Sequence, residues 1–196
     1  MEGALSCVHL HDSFDSVIWS KHILLAVIGA SGSGKSSLVR AGLVPSLKRG
    51  VIDGSDRWLI TVVTPTAHPL QALGAALTEE KSGRQVLLVV DQFEELFTLC
   101  KNVQERSTYI DSLLAAAQSD GPTIVVLVLR ADFYRHCLEY EQLRALLDRH
   151  TKTIGSMNRE ELREAIVGPA KANGWELEAG LVDGYLRDVG DEPGAL

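Results

Sequence analysis

Gly29-Ala30-Ser31-Gly32-Ser33-Gly34-Lys35-Ser36 stands between an apolar run, Ile23-Leu24-Leu25-Ala26-Val27-Ile28, and a helical pattern that begins Ser37-Leu38-Val39-Arg40-Ala41-Gly42-Leu43. Glycine, four residues, glycine, lysine, serine is the P-loop spacing, here in the strand–loop–helix setting that gives it meaning. Glycines let the backbone turn through positive φ and come close to a phosphate. The N–H groups of Gly29 to Ser37 and the following helix N-terminus then form a nest for an anion. Lys35 brings a point charge to the β- and γ-phosphates, and the Ser36 hydroxyl is a hard oxygen suited to Mg²⁺. The pattern predicts nucleotide binding rather than a merely flexible Gly/Ser loop.

Outward from this loop, apolar runs alternate with helical spacing. Strands are expected at His22–Ile28, Trp58–Val63, Gln85–Asp91, Thr123–Leu129 and, weakly, Thr151–Ile154. Val86-Leu87-Leu88-Val89-Val90 is apolar throughout, as a parallel strand covered on both faces requires. Helical patterns fall between the strands: from Gly34 to about Leu43, stopping before Pro45; over Leu70, Leu73, Ala76 and Leu77; from about Gln104 to Gln118; and from Phe133 to Arg149. Alternation of this kind means an α/β fold with a parallel sheet. After it, Asn158 and Glu161 form a capping box, Leu162, Ala165, Ile166 and Ala170 share a face, Asn173-Gly174 ends the helix, and Leu181, Val182, Tyr185, Leu186 and Val189 mark another. The expected division is a poorly patterned segment over 1–21, a core over 22–156 and the start of a helical region over 157–196.

The bulk properties narrow the function. A chain of 196 residues with 45% hydrophobic and 23% charged residues is long enough for one α/β domain. Its formal net charge of −7 favours no nucleic-acid partner. Cys7, Cys100 and Cys137 are far apart and lack metal spacing, so they read as reduced thiols of a cytoplasmic protein. Residues 1–20 have no signal-peptide pattern, and the run Ile23 to Ala30 is too short for a membrane span. His9 and His11 have no supporting ligand cluster and read as solvated side chains.

Two further pieces belong at the same sheet edge, since ligands of open α/β sheets lie beyond the carboxyl ends of strands. Asp91 closes the third strand and is placed to hold Mg²⁺ against the phosphates, with Glu94 ahead of Glu95 as the residue acting on the attacking water. The bland alternative makes Asp91 a helix cap and the glutamates favourable first-turn charges. Arg130 follows the fourth strand and is placed to read the γ-phosphate; the alternative is a surface pair with Asp132.

The loop with Ser37-Leu38-Val39-Arg40-Ala41-Gly42-Leu43, then Asp91-Gln92-Phe93-Glu94-Glu95-Leu96-Phe97, then Leu129-Arg130-Ala131-Asp132-Phe133-Tyr134, together resemble the STAND-class P-loop NTPases, and within them the novel STAND NTPase group of bacterial proteins that often carry WD40 repeats. Glu160-Glu161-Leu162-Arg163-Glu164-Ala165-Ile166-Val167-Gly168-Pro169-Ala170 is similar to that group's segment after the core. The resemblance spans roughly Ile23 to Leu196 and implies a three-layer fold with strand order 5-1-4-3-2. It also implies a signalling ATPase that uses ATP and Mg²⁺, hydrolyses slowly, and oligomerises under control of a sensor domain. It matches Asp91 and Glu94 to the family's Walker B acidic pair and Arg130 to the arginine after the fourth strand.

The chain also departs from the family. Residues 1–22 lack the upstream base-holding element, the span from Thr64 to Arg84 is short, and Pro193-Gly194-Ala195-Leu196 stands where a Leu-Pro and winged-helix region would continue, so the resemblance implies a fragment or truncated relative. Against the switch stands a binding module that holds nucleotide without significant hydrolysis. A P-loop kinase would want an arginine-rich lid, and a transporter ATPase a signature loop fuller than Lys81-Ser82-Gly83-Arg84.

Overall fold

The computed structural model describes residues 24–78, 84–117, 122–155, 157–178 and 180–188. Among these, five strands, β1 (Leu24–Gly29), β2 (Leu59–Val63), β3 (Val86–Val90), β4 (Thr123–Arg130) and β5 (Thr151–Ile154), form one sheet in the order β2-β3-β4-β1-β5. All four pairings are parallel. Read from the other edge, this is the order 5-1-4-3-2, so the α/β three-layer expectation holds. The central strands β3, β4 and β1 are apolar on both faces and buried almost throughout, whereas the edge strand β2 is mostly half-buried and β5 alternates exposed and half-buried positions. Sequence and position agree for a simple reason: a strand with helices on both faces loses free energy for every polar group it carries inward.

The side chains of β1, β3 and β4 divide between two cores. Leu24, Ala26, Ile28, Leu88, Val90, Val125 and Leu127 meet Leu73, Phe93, Leu96, Tyr109, Ile110, Leu143 and Leu147 on one face. Leu25, Val27, Leu87, Val89, Val126 and Val128 meet Val39, Leu43 and Leu47 on the other. The second core clamps the helix that follows the glycine-rich loop onto the sheet and so holds that loop at the carboxyl edge.

That helix, α1, departs from expectation. It does not stop before Pro45: an α-helical turn, Lys35–Ser37, passes into a π-helical stretch, Leu38–Leu43, and then into Val44–Lys48. The Val44 N–H donates to the Val39 carbonyl, one residue further back than in an α-helix. The wide turn places Pro45 in the first turn of the last segment, where its missing N–H and fixed φ are tolerated.

The remaining α-helices among the described residues are α2 (Pro69–Thr78), α3 (Glu95–Thr98), α4 (Val103–Ala116), α5 (Tyr134–Cys137), α6 (Glu141–Leu147), α7 (Arg159–Ala172) and α8 (Leu181–Asp188). The expected helix from Phe133 to Arg149 is broken, because Tyr140 is extended and restarts the chain as α6. Asn158 and Glu161 make the expected capping box at α7. Among the described residues no helix is long and apolar enough to cross a membrane. His9, His11 and Cys7, the ends expected at His22 and Gln118, and the chain beyond Asp188 lie outside the described residues.

Candidate functional site

β1 delivers the loop to its place by a close approach that only glycine allows. A Cβ on Gly29 would lie 2.4 Å from the Ile154 carbonyl oxygen of β5 and 2.8 Å from Ser33 Oγ. Gly32 and Gly34 then take φ of 71° and 81°, turning the chain so that Gly34 precedes α1 with no side chain capping the helix N–H groups. Lys35 is buried and folds back over the loop, where Nζ donates to the Ala30 carbonyl and, at 3.4 Å, to Ser33 Oγ. Burial pushes its pKa below the usual 10.5, and the Glu94 charge works in the opposite direction.

Asp91 lies just past β3 and is almost wholly enclosed. Its Oδ1 accepts the Ser36 hydroxyl at 2.8 Å and the Gln92 N–H at 3.0 Å, and its Oδ2 accepts Arg40 Nε at 2.6 Å. Gln92 sits at φ 53°, the one non-glycine residue with positive φ among the described residues. This left-handed step lets Asp91 face Ser36 while the chain returns to β4: the Phe93 N–H donates to the Val128 carbonyl at 2.9 Å, and the Glu94 carboxylate accepts the Arg130 N–H at 3.2 Å.

A cleft of about 200 Å³ opens between these segments, lined by Ser31, Gly32, Lys35, Ser36, Gln92, Glu94, Val128 and Arg130. The fold therefore brings six of the expected residues to one opening: Ser31, Gly32, Lys35, Ser36, Glu94 and Arg130. Gly29, Ala30, Ser33, Gly34 and Ser37 shape the loop and the start of α1, and Asp91 stands behind Ser36. Glu95 begins α3, half-buried, and does not line the cleft. Arg130 lines the cleft but spends its guanidinium on Asp132, through Nη2 at 2.7 Å and Nε at 3.1 Å, with Phe133 beneath it at 5.5 Å.

The motif spacing assigns no part to two residues at the site. Gln92 lines the cleft, and Arg40 pairs with Asp91. Arg40 carried a readable signal: it is four residues after Ser36, so both project from one helix face. Gln92 carried none beyond adjacency to Asp91.

Ser36 Oγ and the Asp91 carboxylate are adjacent hard-oxygen donors, the type that Mg²⁺ accepts alongside phosphate oxygens and water. The donor set therefore fits the ion.

The model of the family described as Novel STAND NTPase 1 matches residues 10–196. The chain belongs to the novel STAND NTPases. It is a nucleotide-binding NTPase domain of the P-loop type. No curated protein matches the sequence. Among solved structures, domain III of the Thermotoga maritima replication initiation protein DnaA aligns with TM-score 0.62 and 15% identity, over 98% of this chain and 79% of that one. The Aeropyrum pernix ORC2 protein, in ADPNP–ADP complexes, aligns with TM-score 0.58 and 11% identity, over 84% of this chain and 50% of that one. The HORMA:CdnC:Trip13 complex of E. coli MS115-1 aligns with TM-score 0.53 and 17% identity, over 93% and 65%. At such identities the likeness is one of fold. The novel STAND NTPase chain spans about half to two thirds of the length of the last two.

Proposed function

We propose that this domain binds ATP with Mg²⁺ and acts as a nucleotide-dependent switch with slow hydrolysis. The observation that carries the reading is the convergence of Lys35, Ser36, Glu94 and Arg130 on one cleft with Asp91 bonded to Ser36 behind it. Gly29 to Ser37 hold the triphosphate, with Lys35 on its β- and γ-phosphates. Ser36 and Asp91 hold Mg²⁺, which when bound withdraws charge from the phosphate oxygens. Glu94 orients and deprotonates water, and Arg130 exchanges Asp132 for the γ-phosphate. The ORC2 structure with ADPNP and ADP supports adenine nucleotides by fold analogy alone. In a signalling chain, cytoplasmic in setting, ATP and ADP states would govern association with further copies or with sensor and effector modules.

A second reading has an observation in its favour. The Arg130 guanidinium is engaged by Asp132, and one oxygen of the Glu94 carboxylate by the Arg130 N–H. This favours a nucleotide-holding interaction module without significant hydrolysis.

Calorimetry of Mg-ATP binding tests the site, with Lys35→Ala and Asp91→Asn as the variants. Lys35→Ala should abolish or severely weaken binding with the fold intact; unchanged affinity overturns the assignment. Asp91→Asn should remove most of the Mg²⁺ dependence, since an amide is the weaker ligand.

A further inference from the structure

Arg40 belongs to no element of the phosphate-binding motif, yet it makes the shortest contact to the central carboxylate of the site, 2.6 Å from Nε to Asp91 Oδ2. We propose that Arg40 is a resident counter-cation for Asp91 that a divalent metal must displace, so that Arg40 sets how much metal the nucleotide site requires. This rests on the ATP and Mg²⁺ reading above.

The two partners differ sharply in environment. The Asp91 side chain is 4% exposed and that of Arg40 51%. A carboxylate so enclosed is costly unless its charge is met, and Arg40 is paired with it. Both oxygens are spoken for: Oδ1 by the Ser36 hydroxyl and the Gln92 N–H, Oδ2 by Arg40. A dication entering beside Ser36 supplies the same compensation with greater charge density. It also competes with the guanidinium for the same carboxylate and repels it at close range. Arg40 can leave at small cost, because its side chain is already half in water and the arginine stem is long. Metal entry and Arg40 release are then one linked equilibrium: whatever holds Arg40 on Asp91 weakens metal binding by the same factor.

The opposite role is equally definite. If Arg40 instead positioned Asp91 for the metal, its loss would weaken metal binding.

The experiment is a Mn²⁺ titration of the ADP-saturated protein, followed by electron paramagnetic resonance, for wild type, Arg40→Met and Arg40→Gln. Release of a charge-assisted hydrogen bond, discounted for the exposure of Arg40, should tighten Mn²⁺ binding by roughly three- to tenfold in both variants. Unchanged or weaker binding overturns the proposal. Wild-type protein gives an independent reading that does not depend on either variant folding. The Arg40 Nε–H resonance, assigned by its loss in Arg40→Lys, should be protected from exchange without metal and become solvent-exchanging on addition of Mg²⁺ with ADP. Its persistence overturns the proposal. Nucleotide binding with Mg²⁺ present is measured first; its absence overturns the nucleotide reading, and the Nε–H signal followed against Mg²⁺ alone then decides the role of Arg40 separately.

Discussion

The Glu94 carboxylate accepts the backbone N–H of Arg130 at 3.2 Å, tying the turn after β3 to the end of β4. The two residues are 36 apart in the chain, and the tie places both on the cleft beside Lys35. A movement of either strand end is therefore felt by the other, as the proposed switch would require.

Glu94→Gln is expected to keep ATP binding and lose hydrolysis. The amide oxygen still accepts the Arg130 N–H, so the local structure survives, while the capacity to take a proton is gone. The loss should be about 10²-fold or more in single-turnover phosphate release, the range of a general base. Glu95→Gln, off the cleft, should stay within about threefold of wild type, the size expected where no general base is lost. Equal effects would remove Glu94 from the proposed role.

Arg130→Ala should separate ATP from ADP. A charge-assisted hydrogen bond to phosphate is worth about 1.5–3 kcal/mol, so ATP affinity should fall roughly ten- to a hundredfold while ADP is nearly unaffected. Asp132→Ala should act in the other direction, releasing Arg130 from an exposed pair and tightening ATP by a modest factor, about two- to fivefold. Parallel titrations of both nucleotides decide; equal losses for ATP and ADP would favour the binding-only module.

Gly29→Ala should destabilise the domain. The added methyl meets the Ile154 carbonyl at 2.4 Å, and backbone on both sides leaves β1 and β5 to separate. A cost of about 1–3 kcal/mol is expected, as for overpacking elsewhere, read as a lower urea midpoint. Gly34→Ala adds strain of another kind, since φ of 81° disfavours any Cβ.

Burial pushes the Cys137 thiol up to about 12, so at pH 8 the reactive thiolate is on the order of one molecule in ten thousand. Cys100 is buried as well. In a Cys7→Ser background, both should react with Ellman's reagent only as the domain unfolds, and nucleotide should slow the reaction by mass action. Rapid labelling of the native protein would contradict the packing around α5.

Most of the sheet was legible because its central strands are apolar on both faces, a pattern that edge strands and amphipathic helices do not share. The loop and its lysine were legible because phosphate binding constrains glycine spacing tightly. The end of α1 was not: Pro45 reads as a stop, and only the wide turn over Leu38–Leu43, packed by Val39 and Leu43 on the sheet, carries the helix past it. The break at Tyr140 escaped for a similar reason, since apolar spacing continues across it.

Within the site, sequence by itself determined the chemistry available: a phosphate-binding loop, a lysine, a hydroxyl, and acidic and basic residues at strand ends. Each of these follows from local spacing, which the chain carries from end to end. Which side chains meet was decided by tertiary structure alone. Strand order puts β4 between β3 and β1, and the left-handed step at Gln92 turns Asp91 toward Ser36 and Glu94 toward Arg130. Arg40 reaches Asp91 across 51 residues of chain, because a charge takes whichever partner packing brings within a few ångströms, a distance that sequence does not encode, whereas the local pair of Arg130 with Asp132 was already an alternative in the sequence.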